Sequence, residues 1–160
     1  MHNKGGCAWA CRGSTTPTRT CVVIPEIGRR SPAVPASQAT IDLLNEYYGA
    51  MESNDPRRYG TYYADDMTLT FANSPTIKGR DNVVAAFAEV LNRVRSLHHH
   101  LVNVWEQDGG VVVYESVGVW NLFDGRKISI NACTVLTVVG GKFVDQRIYV
   151  DNTPVFAALG

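Results

Sequence analysis

Near its end the sequence reads "RIYVDNTPVF" (147–156), and Asp151 stands where an alternating strand pattern gives way to a proline. A carboxylate moved from water into apolar surroundings has its pKa raised and can then trade protons near neutral pH. Three consecutive histidines, His98, His99 and His100, offer the complementary chemistry. Successive strand residues point to opposite sides, so His98 and His100 share one side and His99 takes the other. Asp151, His98 and His100 are therefore the proton-transfer candidates, and His99 is read as structural. A metal would need a third ligand that only Asp151 or Glu115 offers, and the spacing favours none. Asn73, just before Ser74-Pro75, could orient a water or a substrate oxygen. Arg147 is read as a rim or salt-bridge residue. Tyr47 and Tyr48 lie on helical spacing that usually means core, with room for one phenol to reach a pocket.

The elements that must position these groups follow from periodicity. Ile41, Leu44, Tyr48 and Met51 form one helical stripe from about Gln38. Asp55-Pro56 suits the start of a short second helix carrying Tyr59, Tyr62 and Tyr63. Met67, Leu69 and Phe71 alternate with threonines as a strand. Asp81 is a plausible cap for a third helix with Val84, Phe87, Leu91 and Val94 on one side. Beyond Arg95 the period becomes two, giving strands over 97–107, 111–123, 127–139 and 142–151 separated by "DGG", "DGR" and "GG". Helices gathered against a curved antiparallel meander make an α+β fold.

Two-residue turns at Asp108-Gly109, Asp124-Gly125 and Gly140-Gly141 would fix register. His98 then faces Val119, His100 faces Val117, and Val117 and Val119 lie across from Ala132 and Ile130. Ile130 pairs with Asp151, and Ala132 with Tyr149. One face thus holds Asp151, Tyr149, Arg147, Ala132, Val117, Val119, Glu115, His100 and His98. Its opposite holds Val150, Ile148, Ser116, Gly118, Trp120, Leu101 and His99. The first face either lines a small-molecule pocket or is solvated, and a single bulge would invert part of the assignment.

Composition narrows the function class. The 160 residues suit one domain, and 45% hydrophobic with zero formal net charge gives no basic excess for nucleic acid. No apolar run approaches a membrane span. Up to Pro35 five basic residues oppose Glu26 alone, so residues 1–36 are expected to be a disordered basic extension, leaving 37–160 as the domain. "CVVIPEI" is too short and broken for a secretory signal, and "CAWAC" has no matching second pair for zinc. Cys133 alone lies in the domain, so a cytoplasmic protein is expected. Trp105, Trp120, Leu101, Ile148 and Val150 on the second face would form an apolar patch, which predicts a homodimer.

The order of elements, with "YYADDMTLTF", "GRD" opening the third helix, "DGRK" between strands and "GKFVDQRIYVDNTP" at the end, resembles the SnoaL-like family of the nuclear-transport-factor-2-like superfamily. The resemblance covers about Gln38 to Ala158. It implies a cone-shaped, curved mixed or antiparallel sheet wrapped around three N-terminal helices, a cystatin-like α+β barrel. It also implies that the face bearing Asp151 is concave. In the polyketide cyclases and limonene-epoxide hydrolases of the group, an aspartate of the last strand works in the pocket, and Asp151 matches it. The stretch "TFANSP" keeps an asparagine, Asn73, but has Phe71 where a hydrolase tyrosine stands. The strand "YESVGVW" offers only Glu115 in place of a further arginine and aspartate. Tyr47 falls on the helix tyrosine of ketosteroid isomerase, whose two aspartates are replaced by Phe71 and Thr134. His98 falls on a histidine of scytalone dehydratase. The resemblance implies a cofactor-independent cyclase, isomerase, dehydratase or hydrolase acting on a small hydrophobic oxygenated molecule. The other class it allows is a non-catalytic ligand-binding or dimerisation module. Asn73, Phe71, Tyr47, Glu115, Val117, Val119, Ala132 and Tyr149 are the expected substrate contacts.

Overall fold

A computed structural model describes residues 34–160. The extension expected over 1–36 therefore lies outside the described residues as far as 33, and its last part joins the sheet. Strand β1 (Val34–Pro35) pairs with Trp105 and Glu106, and the Ala36 amide donates to the Val104 carbonyl.

Helix α1 (Gln38–Glu52) starts at Ser37, whose hydroxyl accepts from the Thr40 amide. It buries Leu44, Tyr47, Tyr48 and Met51. Helix α2 (Pro56–Tyr59) is capped by Asp55 with proline in its first turn, and a 3-10 turn (Gly60–Tyr62) leads into β2 (Tyr63–Phe71). Tyr63 thus begins a strand instead of extending the short helix. After β3 (Ile77–Lys78), α3 (Arg80–Leu91) is capped by Gly79, so Asp81 lies inside its first turn. The meander follows: β4 (Ser96–Gln107), β5 (Val111–Asn121), β6 (Lys127–Val139) and β7 (Lys142–Val150). A last helix, α4 (Thr153–Leu159), has no counterpart in the sequence reading. The seven strands form one curled, open mixed sheet in the order β1-β4-β5-β6-β7-β2-β3, with β2 parallel to β7. This is the α+β architecture the sequence predicts. Among the described residues no helix is long and apolar enough to cross a membrane.

Register decides what faces the interior, and two features change it. The loop between β4 and β5 spans three residues, since Gln107 pairs with Val111, while a bulge at Val102 shifts the ladder back by one. The two offsets cancel, so His98 still faces Val119 and His100 faces Val117. No such cancellation rescues β5–β6. Leu122 closes the hairpin with Arg126, and Gly125 takes φ 90° at the end of a three-residue loop. Ser116 therefore pairs with Ala132, and Gly118 with Ile130. Gly140-Gly141 is the expected two-residue turn, but a bulge at Val144 then sets Ala132 opposite Val150 and Thr134 opposite Ile148.

The interior face consequently carries Ser116, Gly118, Trp120, Ile148 and Val150 together with His99 and Leu101, the set the sequence reading placed opposite Asp151. Glu115, Val117, Val119 and Tyr149 lie on the outer face, where Tyr149 is 51% exposed. Trp120, Leu101, Ile148 and Val150 leave the proposed dimer patch because they face inward, though exposed Val102 and Tyr149 keep that outer surface partly apolar.

Gly110 makes the first loop possible. A Cβ there would stand 2.1 Å from the Val138 carbonyl oxygen, whereas one at Gly109 meets nothing within 4 Å. Both take positive φ. Gly109→Ala should cost about 1 kcal/mol for the left-handed backbone, and Gly110→Ala about 2 kcal/mol or more because the β4–β5 hairpin must move. Urea unfolding of the two variants checks this, and equal losses would contradict it.

Candidate functional site

A cavity of about 630 Å³ lies between the interior face of the sheet and the helices. That volume suits a drug-sized organic molecule. Its buried inner end is formed by Met51, Leu97, Ser116, Trp120 and Ile130. The exposed lining residues, including Pro75, Glu89, Arg93, Asp151 and Phe156, mark its mouth. Phe87 from α3 meets Phe71 edge-on at 5.9 Å in the wall.

The polar side chains of the inner end are Ser116 and His99. His99 faces inward because Leu97, His99 and Leu101 share one parity of β4. Its imidazole stacks on Tyr48 at 4.1 Å and 17°. Its Nδ1 lies 3.5 Å from the Glu52 carboxylate, whose side chain is 22% exposed. Glu52 is the last residue of α1 and comes down on the open edge of β4. One carboxylate oxygen accepts the His99 backbone amide, which no strand pairs, and the other meets His98 Nδ1 at 3.1 Å. An edge amide and two imidazoles from opposite sides of the strand thus share one carboxylate.

The charge states follow from these contacts. Burial lowers the His99 pKa below the ordinary histidine value, outweighing the opposing pull of Glu52. His99 is therefore neutral at neutral pH. For Glu52, partial burial acts upward, but the His99 ring 3.5 Å away, whose Nδ1 has no hydrogen-bond partner among the described residues, together with hydrogen bonds from the His99 amide and His98, holds it at about 2. Beside His99, the Tyr48 phenol donates to Tyr114 at 3.1 Å, and burial raises both phenols above their usual value.

The residues singled out from sequence are distributed differently. Asp151 is exposed at the cavity mouth, and its carboxylate accepts the Thr153 amide at 2.9 Å. Hydrogen bonds from Thr153 lower its pKa, the reverse of the rise expected for an apolar site. The reason is that β7 ends at Val150, so Asp151 starts the turn into α4 instead of pointing inward. His98 is half exposed with its ring on Glu52, and His100 is exposed on the outer face. Tyr47 is fully buried in the core, 2.8 Å from the Tyr63 hydroxyl. Asn73 is exposed in the turn between the lining residues Ala72 and Ser74. Glu115 accepts from the Asn103 amide group at 2.7 Å on the outer face, with Val117, Val119 and Tyr149 around it. Phe71 and Ala132 do line the cavity. The structure thus brings together His99, which was read as structural, and Glu52, which was not considered. A signal for Glu52 existed: it follows Leu44 and Tyr48 at intervals of four, a carboxylate ending an apolar stripe.

Among the described residues no group of three or more His, Cys, Asp or Glu side chains could hold a metal ion. The sequence model of the SnoaL-like domain matches residues 44–146, well over half the chain. The chain belongs to the SnoaL-like family. A comparison with the curated proteins gives no match. Among solved structures, this SnoaL-like chain is similar to a Catenulispora acidiphila protein of ketosteroid isomerase-like fold bound to trimethylamine. That match has 19% identity and a TM-score of 0.64, covering 72% of this chain and 90% of that one. A Mycobacterium tuberculosis LEH-like epoxide hydrolase matches with 18% identity and a TM-score of 0.62, over 74% and 87% of the two chains. An NTF2-like protein from Burkholderia pseudomallei matches with 16% identity and a TM-score of 0.65, over 77% and 98%. At these identities the likeness shows the fold alone.

Acid should unfold this domain in two stages. His99 has a folded pKa below its unfolded value, so its contribution is full above about 6.5 and is lost as pH falls through the folded value. Glu52, held at about 2, contributes fully above the unfolded value of about 4.3 and loses this on further acidification. The melting temperature should therefore fall from pH 7 to 5 and again from 5 to 3. Glu52→Gln should remove the second part of the loss, and an unchanged slope below pH 5 in that variant would contradict the assignment.

Proposed function

We propose that this SnoaL-like domain is a small-molecule enzyme that moves a proton without a cofactor, with His99 as the base and Glu52 as its orienting anion. An imidazole that is largely buried, lines an apolar cavity and has a carboxylate 3.5 Å from its Nδ1 is the observation that carries the proposal, and burial lowers its pKa. Glu52 favours the tautomer with the proton on Nδ1, which leaves the Nε2 lone pair for a substrate. When Nε2 takes a proton, the carboxylate stabilises the imidazolium and the apolar walls keep water from competing. Tyr48 fixes the plane of the ring. The wall residues Phe71, Phe87, Trp120 and Ile148 favour a hydrophobic, ring-bearing molecule, and the polar mouth suits one with oxygen substituents. Cyclisation, isomerisation, dehydration and epoxide opening all need such a proton transfer. Asp151 sits where a bound molecule would enter.

A substrate surrogate tests this. In 5-nitrobenzisoxazole, loss of the C3 proton drives N–O cleavage and gives a coloured 2-cyano-4-nitrophenolate, so one proton transferred to a base is the whole reaction. The protein should accelerate it with a pH profile that rises through an apparent pKa below 6.5. His99→Gln should remove about 10²–10⁴-fold of the rate, the range for losing a general base. A rate equal to that of buffer, or one unaffected by His99→Gln, would leave a cavity that binds without catalysis.

A further inference from the structure

Gly118 lies within β5 on the interior face, paired with His99 of β4 on one side and Ile130 of β6 on the other. Glycine weakens a strand, because it gives up more backbone freedom than any other residue and brings no side chain to pack. The glycines of the hairpin loops have a backbone reason to be there, since they take positive φ, and Gly110 also lies against a carbonyl. Neither reason applies to Gly118, whose φ is outside the left-handed region. A Cβ there would stand 3.4 Å from Trp120 Nε1, 3.6 Å from Leu97 Cδ1 and 3.9 Å from the Ile130 carbonyl oxygen, all ordinary contact distances. Alanine would therefore fit the fold, and the packing of the indole does not demand glycine. What glycine does provide is room in the cavity, whose wall Gly118 shares with His99, Leu97, Trp120 and Ile130. Directly opposed positions of an antiparallel pair root their side chains about 5 Å apart, so this room adjoins His99.

We infer that Gly118 is the specificity-determining position of the cavity: the edge of a flat ring compound lies against the bare strand backbone there, beside His99, where any side chain would hold it off. The seat is one side chain wide. Ser116 and Trp120 bound it along the strand, and His99 and Ile130 bound it across the ladder. A space of that width admits the edge of an aromatic or conjugated ring and excludes a puckered or branched one. Interiors are packed closely enough that one methyl group too many is felt, so the same limit applies whether the methyl belongs to the ligand or to residue 118. This inference rests on the proposed reading of the cavity as the place where a small molecule meets His99, and it names the part of that molecule which does so.

Two probes with the same carbon skeleton test it without any reaction: flat 2-naphthol and puckered decahydro-2-naphthol, titrated by calorimetry against the full chain and its Gly118→Ala variant. The variant should melt at or above the temperature of the parent, because alanine suits a strand better than glycine. It should bind naphthol about tenfold more weakly, the lower end for one methyl group too many in an apolar pocket, and decahydro-2-naphthol with nearly unchanged affinity. In NMR spectra of the parent, ring protons of bound naphthol should give nuclear Overhauser peaks to the Gly118 Hα protons. Absent naphthol binding, missing peaks to Gly118, an equal effect of the variant on both probes, or a fall in melting temperature showing that the fold itself needs glycine, would overturn the inference. Because these arms read contact and affinity alone, they can fail while His99 still accelerates proton loss from nitrobenzisoxazole, and they can succeed when it does not.

Discussion

A strand at the edge of a sheet presents amides that no neighbour pairs, and the half of β4 carrying the histidines is such an edge, because β1 covers only Trp105 and Glu106. The carboxylate of Glu52 fills that need by taking the His99 amide. Once it is there, its second oxygen holds His98 and its charge lies 3.5 Å from the His99 ring. The end of α1 is thereby fixed against the strand. Tyr48, one turn earlier on the same side of the helix, is fixed as well, and its ring becomes the platform on which His99 lies. The chemistry available in the cavity thus follows from how an unpaired edge is closed.

The same constraint explains why buried tyrosines surround the site. Helix α1 packs Tyr47 and Tyr48 into the sheet, where Tyr63 and Tyr114 meet their hydroxyls. Each phenol brings a large apolar body into the core together with a polar tip that must be paired. Pairing the tips with one another satisfies these hydroxyls inside the core. Packing and the placement of His99 therefore share a side chain, since Tyr48 both pairs with Tyr114 and carries the imidazole.

The architecture was legible in the sequence because its signals are long: two apolar helical stripes, a switch to period two after Arg95, and glycine-bearing turns. Which side of the sheet faces inward was not, because that rests on the parity of short loops. "DG" reads as a two-residue turn, yet in both places the chain uses three residues with glycine in the left-handed region, as at Gly125. Leu122 accounts for one of these, since it is 2% exposed and closes its hairpin one step earlier than Phe123 would. Bulges at Val102 and Val144 leave no mark on hydrophobic alternation. The pairing of His98 with Val119 came out as expected through two offsets that cancel, while Ser116, Gly118 and Trp120 came out on the wrong side through one that does not. Asp151 was misplaced because the strand pattern and the capping pattern overlap in "VDNTP", and the Thr153 amide wins its carboxylate. Family resemblance pointed to the fold and to that position, and could not report that the carboxylate is used at the surface.

The protonation and tautomer of one ring underlie the proposed chemistry. Nitrogen-15 shifts of the His99 imidazole, followed by NMR as pH is lowered from 8, test them directly. The account predicts a neutral ring at pH 7 with the proton on Nδ1, and titration below the value of about 6.5 for a free histidine. A ring that is already charged at pH 7, or one that carries its neutral proton on Nε2, would contradict it.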